Sequence, residues 1–379
     1  MIYLDNAATT QPLPEVLEAY KRMQLELWAN PSSLHEFGED VFFELKEVRD
    51  SIKNLLHGRE GDIIFTSGAT EGINTFLRSV LRREGHVITS AYEHAAVHQV
   101  LKAYEAEGGR VTYLQPEHGI ITKEAVLEAI QEDTLLVALM HVNNEIGVKN
   151  PIADICRAVK ARRSDILFFS DGVQAGGKIP VDLQSLAVDG YALSAHKFHG
   201  LKGTGLLYVR NLHLHPLILG GGQENGLRSG TQNVGGIVAM EEALRHCIKD
   251  MDQKLAHVES LRNICLEELK ELKGMKVNQF PESIPHILSL SFTDLKGEVL
   301  VHMLDQKKIY VNTKSACSST GHKASRTLQA IGLSDREAMG TIRLSFDSTQ
   351  SEEDIRRAAR EIRATVEELQ QRMGGFRGV

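Results

Sequence analysis

Hydrophobic positions along the chain follow two alternating rhythms. Helical spacing runs over 15–27 and again over 40–56. Residues 62–66 read as a short strand, and Ser67-Gly68-Ala69-Thr70-Glu71 then opens a helix reaching about residue 81. The same alternation continues as a strand at 86–90, a helix at 94–107, a strand at 111–114 and a helix at 122–130. A buried strand at 135–141 precedes a helix at 152–162, and a strand at 166–170 precedes a glycine-punctuated turn. Two more strands are predicted at 191–194 and 205–209. Strands alternating with helices of about ten residues or more predict βαβ units and a mostly parallel sheet covered on both faces.

The rhythm changes after Gly236. One long charged helix is predicted over 237–272, then a strand over 287–292, a helix over 297–305 and a final helix over 351–372. This second part reads as a smaller α+β domain. The last helix mixes Arg356, Arg357, Arg360 and Arg363 with Glu352, Glu353, Asp354 and Glu361. Such a run reads as a solvated face with i,i+4 pairs rather than a docking patch.

Composition narrows the class. A length of 379 residues suggests two or three domains. Hydrophobic residues at 42% and charged residues at 25% exclude a disordered or collagen-like chain. Acids outnumber bases 50 to 43, so the net charge of -7 argues against direct binding of nucleic acid. Cys156, Cys247, Cys265 and Cys317 form no CxxC pair, so neither a disulfide framework nor a zinc site is expected, and a reducing compartment is. The first residues lack the basic-then-apolar pattern of a signal peptide, and the apolar stretch at 135–140 is too short to span a bilayer. The expectation is a soluble cytoplasmic protein with no membrane partner.

The chemistry gathers where strands end. Ligands of open α/β sheets bind beyond the carboxyl ends of the strands. Thr66-Ser67-Gly68-Ala69-Thr70 joins a strand to a helix, and its N–H groups suit a phosphate. An ordinary N-cap by Ser67 or Thr70 reads equally well. Asp171 ends one strand, with Gln174 three residues on. Ser194-Ala195-His196-Lys197 ends another, and a lysine at a buried sheet edge is costly unless paired or chemically used. A desolvated lysine is what Schiff-base chemistry requires. The tract Gly200-Leu201-Lys202-Gly203-Thr204-Gly205 lets the backbone fold closely around it. Lysine, acid and phosphate turn together suit pyridoxal 5'-phosphate. A dinucleotide site fits worse, because the glycines do not spell GxGxxG after a first strand.

Beyond these, the sequence resembles the class I cysteine desulfurases of the NifS/IscS type, members of the class-V aminotransferase family and of fold type I among pyridoxal-phosphate enzymes. The resemblance runs from Tyr3 to about Glu368. It is carried by Tyr3-Leu4-Asp5-Asn6-Ala7-Ala8-Thr9-Thr10, Asn30-Pro31-Ser32-Ser33, Phe65-Thr66-Ser67-Gly68-Ala69-Thr70-Glu71 and Glu93-His94. Met140-His141-Val142-Asn143-Asn144-Glu145-Ile146-Gly147, Ser194-Ala195-His196-Lys197, Arg228-Ser229-Gly230-Thr231 and Ser315-Ala316-Cys317-Ser318-Ser319 complete it. It implies an α/β fold: a large pyridoxal-phosphate domain at 12–250, and a small α+β domain from 1–11 and 251–379 that carries a catalytic cysteine loop.

The resemblance also implies roles. Lys197 holds the cofactor covalently, His94 stacks on its ring and shuttles protons, and Asp171 pairs the ring nitrogen. Gln174 and Asn144 approach the phenolic oxygen. Ala69, Thr70, Ser194 and His196 hold the phosphate, and Thr231 reaches the phosphate of the partner subunit, which implies a homodimer. Asn30 and Arg343 bind the substrate carboxylate, and a guanidinium grips a carboxylate bidentately. No metal is implied. Three of the cysteines lie in helical patterns and read as small buried hydrophobes. Cys317, in a run of small polar residues, reads as the nucleophile that takes sulfur from L-cysteine as a persulfide, leaving L-alanine.

Three stretches depart from the family's usual pattern: Val311-Asn312-Thr313-Lys314, Ser345-Phe346-Asp347-Ser348 and Phe198-His199-Gly200-Leu201. The chain also ends soon after its last helix, without the tail that some relatives use to dock an iron–sulfur scaffold protein. A dedicated sulfur acceptor such as a tRNA-thiolation enzyme is therefore expected over a general scaffold. A selenocysteine lyase, an aminotransferase or an inert partner protein is the alternative; transamination needs no thiol, and an inert member would be expected to lose the lysine or the cysteine.

Overall fold

A computed structural model of the chain describes residues 1–313 and 325–376, with side chains through Arg372. Among these residues the strands form three sheets. The largest has seven strands in the order Asp62–Thr66, Gly205–Val209, Gly190–Ser194, Leu167–Asp171, Thr134–Met140, His86–Ser90 and Arg110–Leu114. Gly205–Val209 runs antiparallel to both of its neighbours, and every other pairing is parallel. Parallel pairing needs crossover helices on the faces, and the inner strands are accordingly buried almost throughout. Phe168 and Phe169, adjacent on one strand, point to opposite faces and fall in two separate hydrophobic clusters. Truncating either to alanine costs about 3–5 kcal/mol.

A three-stranded antiparallel sheet sits in the C-terminal part: Thr341–Ser345, Ile287–Phe292 and Met275–Val277. The chain's first residues form the third, two-stranded sheet beside it. Ile2–Tyr3 pairs in parallel with Ile309–Tyr310, Asp5 bridges to Ser345, and Ile2 and Leu4 lie in the C-terminal core cluster.

The long helix expected over 237–272 is two helices, Val234–Ile248 and Met251–Leu269. Asp250 between them adopts φ 55°, a left-handed conformation that Asp tolerates better than most residues. The break has a packing cause. Val234 through Cys247 bury against the seven-stranded sheet's core, whereas Val258, Leu261, Cys265 and Leu269 bury in the C-terminal core. One straight helix cannot serve both.

The arginine run of the last helix, Glu352–Phe376, also behaves differently from expectation. Arg356 and Arg360 both pair with Glu268 on Met251–Leu269, at 3.2 and 3.5 Å, and Arg363 donates to the Glu268 carbonyl. These charges tie two helices together, while Glu368 and Arg372 form an i,i+4 pair further along the same helix. No helix among the described residues is long and apolar enough to cross a membrane. Cys156, Cys247 and Cys265 are buried, and burial pushes each thiol up to about 12.

Candidate active site

The parallel strands bring their carboxyl ends to one edge of the sheet, and a cavity of about 570 Å³ opens there. Thr66, Ser90, Met140, Asp171 and Ser194 are the last residues of five strands, and the segments that follow them supply most of the lining.

The helix Ala69–Val80 starts at the cavity. Its N-cap is Gly68, with no side-chain cap, so neither Ser67 nor Thr70 plays the capping role. The Ser67 N–H instead donates to Glu71 Oε2 at 2.9 Å, and Arg228 fixes that carboxylate from the far side at 2.8 Å. Ala69 and Thr70 therefore present helix N-terminal N–H groups to the cavity, as an anion site requires. Gly205 permits the approach of this turn to the Lys197 hairpin. A Cβ there would lie 2.6 Å from Gly68 Cα and 2.7 Å from the Leu193 carbonyl.

Asp171 closes the floor. Its Oδ1 accepts from the Val173 N–H at 3.0 Å. Burial raises its carboxyl above the usual range, with the charges of His94 and Lys197 opposing that rise. His94 caps the helix Ala95–Ala106, its Nδ1 accepting from the Ala96 N–H at 3.2 Å. That bond leaves Nε2 as the nitrogen able to carry the proton of a neutral ring.

Lys197 lies in a short 3-10 turn directly after the strand Gly190–Ser194. Its Nζ donates to the carbonyls of Ala7 at 2.8 Å and Ala8 at 2.7 Å. The Ala7 carbonyl also accepts from Gln174 Nε2 at 2.9 Å, and Gln174 Oε1 accepts from Lys178 Nζ at 2.8 Å. The amide of Gln174 is thus oriented from both ends. Burial, aided by the charge of Lys197, lowers Lys178 to about 7. Burial and the nearby lysines lower His196 to about 4, so its ring is neutral in ordinary buffers.

Arg343 reaches the cavity from the other sheet. It is 2% exposed. Nη2 pairs with Asp5 Oδ1 at 2.7 Å, and Nη1 donates to the Asn144 carbonyl at 2.7 Å. Its Nε is buried with no hydrogen-bond acceptor among the described residues. Asn312 holds the other oxygen of Asp5 at 3.0 Å.

Ala69, Thr70, His94, Asn144, Asp171, Gln174, Ser194, His196, Lys197 and Arg343 all line this one cavity. Asn30 and Thr231 are exposed and outside its lining, and Asn30 Oδ1 is engaged by the Ser32 N–H at 2.9 Å. Cys317 lies outside the described residues.

Sequence reasoning missed four supporting groups. Asp5 and Lys178 position Arg343 and Gln174, and the four-residue spacing of Gln174 and Lys178 was the available signal for the second. Glu93 is a buried acid beside His94, and Glu145 a half-buried one beside Asn144. Glu93 Oε1 accepts from the Ser90 hydroxyl at 2.5 Å and the Met140 N–H at 2.9 Å, while Oε2 has no partner among the described residues. Burial pushes Glu93 up to about 8. Burial also raises Glu145, which accepts from the Ser325 hydroxyl at 2.5 Å.

Comparison with known proteins agrees with this geometry. The family model described as aminotransferase class-V matches residues 2–358. A protein of Dictyoglomus turgidum named cysteine desulfurase IscS is 37% identical, over 97% of this chain and 95% of its own length. The cysteine desulfurase IscS of Vibrio vulnificus is 40% identical, over 97% and 93%. A solved structure titled NifS-like protein superposes with a TM-score of 0.90 at 36% identity, covering 97% of this chain and 99% of the other. Another, titled SspA in complex with cysteine, gives 0.81 at 33%, covering 92% and 99%.

Proposed function

The chain belongs to the class-V aminotransferase family and is a pyridoxal-phosphate-dependent cysteine desulfurase, and from that premise we propose how its residues divide the work. The enzyme uses L-cysteine and passes its sulfur on.

The donor set of the cavity fits the cofactor: uncapped N–H groups at Ala69 and Thr70 for a phosphate, a buried carboxylate at Asp171 for a ring nitrogen, and an amine at Lys197. Bound there, pyridoxal phosphate supplies a carbonyl for Lys197 and a protonated ring that withdraws electrons from the substrate's α carbon. Ser194 and His196 complete the phosphate cradle. His196, being neutral, contributes a hydrogen bond without a charge. Gln174 offers its second Nε2 hydrogen to the phenolic oxygen, an orientation that Lys178 enforces from behind, and Asn144 approaches the same oxygen.

Arg343, which lines the cavity, binds the substrate carboxylate, and Asn30 assists. Lys197 takes the α proton, and His94 Nε2 carries protons at the ring face. The Cys317 thiolate attacks the substrate sulfur: the C–S bond breaks, an S–S bond forms, and a proton added at Cβ completes L-alanine. L-Cysteine and one thiol thus become L-alanine and one persulfide, which balances without an added oxidant. Residues 12–250 form the cofactor-binding domain, and 1–11 with 251–379 form the second. The active unit is a homodimer in which the exposed Thr231 reaches the phosphate held by the partner subunit. The sulfur acceptor is a protein, a tRNA-thiolation enzyme or an iron–sulfur scaffold, and sulfur-labelled enzyme offered both acceptors together identifies it. The expected setting is cytoplasmic.

The carrying observation is the convergence of Lys197, Asp171, the phosphate turn and Arg343 on one cavity. Supplying L-cysteine to the reconstituted protein is expected to yield L-alanine, with the cofactor's visible absorbance band and turnover both lost in Lys197→Ala. Turnover surviving in that variant contradicts the assignment.

A further inference from the structure

Two of the stretches that depart from the family pattern meet inside the molecule. His199 belongs to one and Asp347 to the other. His199 Nε2 lies 2.9 Å from Asp347 Oδ2, and His199 Nδ1 lies 2.9 Å from the Gln11 carbonyl. Both ring nitrogens therefore face oxygen acceptors. A neutral imidazole carries one N–H, so only the imidazolium satisfies both contacts. The second oxygen of Asp347 accepts from the Thr349 N–H at 3.0 Å and the Thr349 hydroxyl at 2.6 Å. The two residues are 7% and 8% exposed, so this is a buried ion pair. His199 holds a left-handed φ of 66°, secured by its N–H donating to Thr10 Oγ1 at 2.7 Å.

Position gives the pair its meaning. His199 follows Lys197 by two residues, on the turn after a strand of the seven-stranded sheet. Asp347 follows Arg343 by four residues, just past the strand Thr341–Ser345 of the other sheet. The pair therefore bridges the two segments that carry Lys197 and Arg343. A small cavity beside it is lined by Lys178, Lys197, His246, Cys247, Lys254 and His286. Among the described residues Asp347 is the one carboxylate in that lining. Lys178 is committed to Gln174, and Lys254 donates to the His246 carbonyl.

We propose that His199 and Asp347 are positioning residues for the desulfurase reaction: their buried ion pair holds the Lys197 turn against the Arg343 strand, and so sets the span across which the substrate's amine and carboxylate are gripped. The proposal rests on the assignment of Lys197 and Arg343 made above. Neither residue touches the reacting atoms. Burial alone lowers a histidine, but the hydrogen bond and charge of Asp347 outweigh it and hold His199 above its ordinary value. Asp347 is held well below the usual carboxylate range, its own burial being outweighed by the hydrogen bond and charge of His199 and by the Thr349 contacts. The sign follows. The clasp is intact below the raised His199 value and opens as pH rises through it, while Asp347 stays charged.

The test is the pH dependence of KM and kcat for L-cysteine in the unaltered holoenzyme, Asp347→Asn, His199→Asn and the double variant. Competition by L-alanine, measured in parallel, removes the titration of the substrate thiol. Asp347→Asn is expected to raise KM about ten-fold while retaining the cofactor's visible band and most of kcat, since misplacing a binding group acts first on binding. Its alkaline rise in KM is expected to move to lower pH, because His199 loses the carboxylate that keeps it protonated. The double variant is expected to be no worse than Asp347→Asn. Unchanged KM and an unmoved alkaline limb in Asp347→Asn overturn the clasp. Should that variant fail to fold, the unaltered enzyme decides: absence of an alkaline limb for both L-cysteine and L-alanine overturns the proposal, and its presence supports it. Arg343→Ala separates the two readings. Unchanged KM there overturns the substrate-site assignment beneath the clasp, whereas raised KM there beside an unaffected Asp347→Asn overturns the clasp alone.

Discussion

Lys197 and Arg343 reach the same cavity by different constructions. The Lys197 side is assembled from strand ends of one sheet: the turn after Thr66, the end at Asp171 and the turn after Ser194 lie on a single edge because their strands run in parallel. The Arg343 side is assembled from segments far apart in sequence. Its guanidinium is held by Asp5, more than three hundred residues away, and by the Asn144 carbonyl. One side inherits its geometry from regular pairing, and the other depends on an ion pair of buried Arg343 with half-buried Asp5, from the two ends of the chain. The first side is therefore expected to tolerate changes in the second.

That independence can be broken experimentally. Arg343→Ala is expected to raise KM for L-cysteine about 10²-fold, the usual penalty for truncating one partner of a buried hydrogen-bonded charge pair. The cofactor's visible band is expected to persist, because the phosphate turn and Asp171 lie on the other sheet. A band lost together with KM would show that the two sides form one unit. Thermal stability is expected to fall as well, since the half-buried Asp5 is left against Asn312 without its cation.

A smaller effect sharpens the same contrast within the Lys197 side. Glu93 ties the end of His86–Ser90 to Met140, and burial raises its carboxyl from 4.5 to about 8. An acid whose folded value is raised binds more protons in the native state, so its contribution to stability falls as pH rises between those two values. Glu93→Gln removes that loss. The melting temperature of the variant relative to the unaltered protein is expected to climb between about pH 5 and pH 8, by a few degrees. A gap that stays constant across that window would mean Glu93 is ionised throughout.

The same division governs what was legible in the sequence. The alternating strands and helices up to residue 209 emerged with boundaries shifted by a few residues, because each element buries a face of recognisable period. Asp171, Lys197 and the phosphate turn were visible because each ends or follows a strand. The strand carrying Arg343 was not, since five buried residues with an arginine at the centre do not alternate as a half-exposed strand does. The break at Asp250 was hidden because both halves have helical spacing, and only the change of burying core separates them. Asp5 and Lys178 stayed silent because their value lies in partners brought near by the fold. The His199–Asp347 contact was present only as two unexplained departures, and nothing in either stretch names the other.

The most direct measurement follows the sulfur. Holoenzyme is given L-cysteine labelled in its sulfur, and L-alanine and protein-bound label are counted together, with the labelled residue located by peptide mapping. The account predicts label on Cys317 as a persulfide, matched by L-alanine in the first turnover, and a Cys317→Ala variant that keeps its cofactor yet carries no label there. Sustained production of sulfide and L-alanine by that variant would contradict it.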